Sequence, residues 1–103
     1  MKILWTQRSK TLLEQVFQFY VAFYGKAKAV KIRDSILNAP DILEKNPFCG
    51  KIEDHFSDEQ TSKIVRSIIQ KHTKILYEVL EKEQVVLILT VFDTRQDPDI
   101  ISI

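Results

Sequence analysis

Four cations in the C-terminal half, Arg66, Lys71, Lys74 and Arg95, are the side chains best suited to chemistry, with His72 between two of them. If they point from one sheet face or rim they could hold a phosphodiester, Arg through its planar fork of donors and Lys as a point charge. Metal-free RNA cleavage asks for more, namely a base for the ribose 2′ proton and an acid for the leaving oxygen. Histidine ordinarily titrates near neutrality, which makes His72 the candidate base. It sits in a short polar turn, however, where a lone His is ordinarily just solvated. Lys63 begins the same basic stretch, whose plain reading is a solvated strand face. Tyr77 shares its strand face with Ile75 and Val79 and reads as packed rather than catalytic. A reactive thiol needs cationic neighbours, and near Cys49 the sequence offers only Lys51 and His55, so an inert cysteine is expected.

Several classes of chemistry are excluded. No glycine-rich phosphate loop, His-Glu metal pattern or Gly-x-Ser-x-Gly turn occurs. The one cysteine cannot form an internal disulfide, and with only two His it fits no familiar zinc spacing. Neither metal nor cofactor is expected. The 103 residues suit a single domain, 1–103, and 45% apolar with 28% charged residues suits a globular chain. No apolar run approaches the ~18 residues of a membrane helix, and the first residues meet charge too early for a signal peptide. A cytoplasmic protein with no membrane contact is expected. The formal net charge of +1 hides alternating blocks: +5 over 1–35, −4 over 36–60, +3 over 61–78 and −3 over 79–103. Such a chain lacks the overall field that draws proteins to nucleic acid non-specifically.

The elements that would position these residues follow from periodicity. Ile3-Leu4-Trp5 reads as a strand. Thr6 or Ser9 can cap a helix over 9–24 whose core stripe is Leu13, Val16, Phe17, Tyr20 and Tyr24. Leu12, Phe19 and Phe23 lie off that stripe, so this helix has more apolar surface than one contact can cover. Gly25 can end it by taking the left-handed conformation. A second helix follows with Ala29, Ile32 or Arg33, Ile36 and Leu37 on its apolar side, and Pro40 breaks it near Asn38-Ala39. Residues 47–62 read as the longest loop. From Lys63 the period drops to 2, giving strands Ile64–Lys71, Lys74–Leu80 and Gln84–Phe92 joined by short turns at His72-Thr73 and 81–83, hence antiparallel. Val85 to Leu89 is apolar on both faces and marks a strand covered on both sides. The order predicts an α+β fold, β-α-α-β-β-β, with two helices packed on one face of a mostly antiparallel sheet. The tail Ile100-Ile101-Ser102-Ile103 reads as an extra edge strand or a partner-binding element.

Five segments, in order, carry a resemblance: Ile3-Leu4-Trp5-Thr6; Asn46-Pro47-Phe48-Cys49-Gly50; Arg66 with Lys74; Ile75-Leu76-Tyr77; and Phe92-Asp93-Thr94-Arg95-Gln96-Asp97-Pro98. Together they resemble the RelE/ParE toxins of type II toxin–antitoxin modules over nearly the whole chain, the last segment being the most specific. The resemblance implies a cytosolic bacterial toxin neutralised by a cognate antitoxin, on surfaces that would include Leu12, Phe19, Phe23, Ile100 and Ile101. It also implies promoter DNA contact made mainly through the antitoxin. Two activities divide the family: RelE-like members cleave messenger RNA in the ribosomal A site, and ParE-like members poison DNA gyrase without being nucleases. By the RelE-like pattern, Arg66, Lys74 and Arg95 would hold phosphate and His72 would serve as base. Yet no Tyr or His follows Arg95, Lys74 stands where an Arg is usual, and a pI near 7.8 is low for docking onto ribosomal RNA. The departures favour a ParE-like, gyrase-directed toxin over a ribosome-dependent nuclease or an inactive antitoxin-binding relic.

Overall fold

A computed structural model describes residues 1–94. Arg95, Ile100 and Ile101 therefore lie outside the described residues. The chain order is β1 (Lys2–Trp5), α1 (Gln7–Tyr24), α2 (Lys26–Asn38), a 3-10 segment (Ala39–Glu44), β2 (Lys51–Ile52), a 3-10 turn (Asp54–Phe56), β3 (Val65–Gln70), β4 (Thr73–Leu80) and β5 (Val85–Asp93).

Local chemistry sets the helix ends. The Thr6 hydroxyl accepts the Ser9 N–H at 3.0 Å while the Ser9 hydroxyl donates back to the Thr6 carbonyl at 2.8 Å, so α1 starts two residues before the expected point. Gly25 separates the helices with φ 83° and ψ 164°. The positive φ is as expected, but the conformation is an extended one open essentially to glycine alone, not the left-handed helical one. Pro40 stops α2, and the chain tightens into the 3-10 segment in which Pro40 and Leu43 are buried.

The five-stranded sheet runs β1-β5-β4-β3-β2. β1 pairs parallel with β5, and the remaining pairs are antiparallel. The β3–β4 turn is Lys71-His72, one residue before the expected place, with Lys71 at φ 56°. The stretch expected to be loop contributes β2, two residues paired to Ser67 and Arg66.

Both helices cover one face of the sheet. The core between the layers holds Leu13, Ile36, Leu43, Ile75, Tyr77, Val86, Ile88 and Val91. A smaller core on the other face joins Val65, Leu76, Leu89 and Phe92 under Phe56. That is how β5, apolar on both sides, is buried twice. The β4–β5 register shifts by one residue at Leu76/Tyr77, which turns Val91 to the helix side with Val86 and Ile88 although its parity differs from theirs. On α1, Leu13 and Phe17 are buried as expected and Val16 and Tyr20 partly so, but Tyr24 is exposed, as is Leu37 of α2. Leu12 is half-buried against the core, whereas Phe19 and Phe23 are exposed.

Candidate functional site

Among the described residues, the cations expected to gather do not share one face of the sheet. Arg66 pairs across β3–β4 with Tyr77, and Lys74 with Ile69. Because side chains alternate along a strand, Arg66 is on the Tyr77 side of the sheet and Lys74 on the opposite side. A two-residue turn forces that parity: positions 66 and 69 are an odd number apart. Lys71 and His72 are exposed on the turn at the rim, where the His72 carbonyl accepts the Thr94 N–H at 2.8 Å.

Each inner cation is already engaged. Arg66 Nη1 donates to the Phe48 and Gly50 carbonyls at 3.1 and 3.0 Å, with the guanidinium 5.3 Å above the Phe48 ring. The crevice beside it, about 130 Å³, is also lined by Glu78 and Glu81, which offset its charge. Lys74 Nζ lies 3.2 Å from both carboxylate oxygens of Glu53, and the Ser67 hydroxyl donates to the same carboxylate at 3.1 Å. The pair is mostly withdrawn from solvent, with side-chain exposures of 22% for Lys74 and 12% for Glu53. Nothing in the sequence pattern marks Glu53, an acid in an aperiodic stretch, as the partner of Lys74. Among the described residues no group of three His, Cys, Asp or Glu could hold a metal ion, and no helix is long and apolar enough to cross a membrane.

The segment 46–50 is fixed by Tyr77. Its hydroxyl donates to the Pro47 carbonyl at 2.8 Å and accepts the Gly50 N–H at 2.9 Å. Burial pushes the Tyr77 phenol up from its ordinary value, the Gly50 hydrogen bond opposing in part. Gly50 has to be glycine: a Cβ there would strike the Tyr77 hydroxyl and stand 2.8 Å from the Ser67 carbonyl oxygen. Cys49, between them, is exposed.

A larger concave surface is elsewhere. A groove of about 430 Å³ runs between α1 and the adjoining ends of β4 and β5, lined by Leu12, Val16, Phe19, Tyr20, Val91 and Phe92, with Thr73 and Asp93 at its margin. It leads onto a row of aromatic rings: Phe19 and Phe23 are 4.6 Å apart and Tyr20 and Tyr24 5.7 Å apart. Phe19 is 55% exposed and Phe23 69%. Apolar side chains so exposed, beside a concave apolar groove, are the features of a protein-docking surface.

Fold and surface thus define a small α+β protein with two helices on a five-stranded sheet and an apolar face open to a partner. A family model described as the ParE toxin of type II toxin–antitoxin systems, parDE, matches residues 3–98. The chain belongs to that family. Its fold is similar to a solved structure of a chromosomal ParDE toxin–antitoxin system from P. aeruginosa, with a TM-score of 0.74 and 20% identity over 90% of this chain and 95% of that one. No curated protein matches the chain.

Proposed function

We propose that this member of the ParE toxin family arrests growth by inhibiting a gyrase-like topoisomerase, without cleaving nucleic acid. The observation that carries the reading is the Glu53 carboxylate seated on Lys74. A phosphate would have to displace a bidentate, hydrogen-bonded anion from a site mostly withdrawn from water, and Arg66, on the other face, cannot assist. His72 is on the exposed turn with neither inner cation beside it on one face. RNA cleavage needs base, acid and phosphate clamp within reach of one bond, and among the described residues that arrangement is missing. The ribosome-dependent nuclease reading is therefore the weaker of the two.

The partner in this reading is a cognate antitoxin in the cytoplasm, covering the α1 groove at Leu12 and Phe19 and the neighbouring Phe23, with Ile100 and Ile101 as further contacts. Promoter DNA is reached only through the antitoxin. The test uses purified, antitoxin-free protein in two assays. Inhibition of gyrase supercoiling, with translated messages intact by toeprinting, is the expected result. Cuts at the ribosomal A site, lost in Arg95→Ala and Lys74→Ala, would replace this reading with the nuclease one. Inactivity in both assays, with antitoxin binding retained, would mark an inactive relic.

A further inference from the structure

We infer that the crevice beside Arg66 and the apolar side chains around it form the surface that grips the toxin's target, by taking a Lys or Arg side chain that the topoisomerase presents among apolar residues. The inference rests on the topoisomerase reading above and adds where the target binds and what chemistry it offers. Phe48 is 49% exposed, Ile64 49% and Ile52 44%. All three converge on Arg66. Its guanidinium stands over the Phe48 ring, Ile52 pairs with it in register and so shares its face of the sheet, and Ile64 lines the same crevice.

This exposure is built rather than left over. The segment that carries Phe48 is held by two hydrogen bonds at the Tyr77 hydroxyl and two from Arg66 Nη1. An aromatic ring fixed in water loses little freedom when a partner covers it, which is how interface anchors gain affinity.

Charge and size identify the occupant. Glu78 and Glu81 line the crevice with Arg66, and neither makes an ion pair among the described residues. A cation entering there meets both carboxylates, while Phe48, Ile64 and Val79 offer apolar walls to its methylene stem. The same carboxylates repel a nucleic-acid phosphate. The crevice, about 130 Å³, is smaller than the ~300–1,000 Å³ of small-molecule sites, so it suits one side chain of a larger partner. Position separates it from the antitoxin groove. The groove meets β4 at Thr73 and the crevice meets it at Val79, about 20 Å apart along the strand.

The test measures supercoiling inhibition and antitoxin affinity on the same full-length variants. Phe48→Ser/Ile64→Ser is expected to raise the half-inhibitory concentration about thirtyfold or more. Glu81→Lys, a charge reversal on an exposed turn, is expected to raise it about tenfold. Affinity for the cognate antitoxin, by calorimetry, is expected to stay within about twofold of wild type in both. Circular dichroism checks the fold, and Glu81→Lys keeps the inference testable should the double variant unfold. Unchanged inhibition in both variants overturns the inference alone, whereas a wild type that inhibits no topoisomerase overturns it together with the reading it rests on. Antitoxin affinity lost in step with inhibition would give the patch to the antitoxin. A concentration-dependent dimer broken by Phe48→Ser, with inhibition intact, would give it to a second copy. Either result overturns the inference, and inhibition that survives Glu81→Lys alone overturns the basic side chain as occupant.

Discussion

The Tyr77 hydroxyl is the point where strand β4 meets the segment 46–50, and both of its hydrogen bonds go to backbone groups. Tyr77→Phe would leave the Gly50 N–H and Pro47 carbonyl without that partner. We expect a loss of about 1–3 kcal/mol of folding stability, read by urea titration. The pH dependence has a definite sign. Burial raises the phenol in the folded chain, while the unfolded chain ionises near ~10. The Tyr77 contribution is therefore complete below about 10 and is lost as pH rises from there through the folded value. The gap between wild type and Tyr77→Phe should narrow over that interval, and a gap that widens would contradict the assignment. Burial of Tyr77 was legible in the sequence, since Ile75 and Val79 share its face. The pin was not, because its partners lie 27 and 30 residues away. The separation of Arg66 from Lys74 was legible in principle, because any two-residue turn between their strands puts them on opposite faces. Their spacing along the chain hides it.

At the scale of elements, the hairpin of α1 and α2 depends on one backbone conformation. Gly25 has φ 83° and ψ 164°, and nothing lies within 4 Å of where a Cβ would stand. The cost of Gly25→Ala is therefore conformational rather than steric, about 1–3 kcal/mol by thermal or urea unfolding. A neutral result would mean that the hairpin joins its helices by another route. Helix ends and strand ends were readable to within one or two residues, as was the change of period near Lys63, because Gly25, Pro40 and alternating apolar residues act locally. β2 was not: two residues have no period, and Lys51 and Ile52 are strand only because Ser67 and Arg66 are there to pair with. The surplus apolar surface of α1 was readable as a quantity. Which of its residues end in the groove and which beyond it depends on where the sheet stops beneath the helix, and that is a tertiary fact.

At the scale of the molecule, two cores of unequal size share one sheet, and they need not open together. The larger core ties both helices, the 3-10 segment, β4 and β5 into one body. The smaller one is closed by Phe56, whose segment is held by Glu53 on Lys74 and Ser67, by the Glu53 N–H on the Val65 carbonyl at 2.8 Å, and by the Ser57 hydroxyl accepting the Val65 N–H at 2.9 Å. Segments held by few contacts open at lower free energy than the global transition. Glu53→Ala removes the carboxylate that makes two of those attachments, to Lys74 and to Ser67, and leaves Lys74 partly buried without its anion. The charge-assisted bonds concerned are worth about 1.5–3 kcal/mol each, so the segment should open roughly tenfold or more often. Hydrogen exchange is the measurement that separates the cases. The amides of Glu53 and Val65 should exchange faster in Glu53→Ala, while those of Ile75, Val86 and Ile88 keep their wild-type protection relative to global unfolding. Uniform acceleration across β4 and β5 would instead show that the two cores unfold as one, and that the face opposite the helices has no motion of its own.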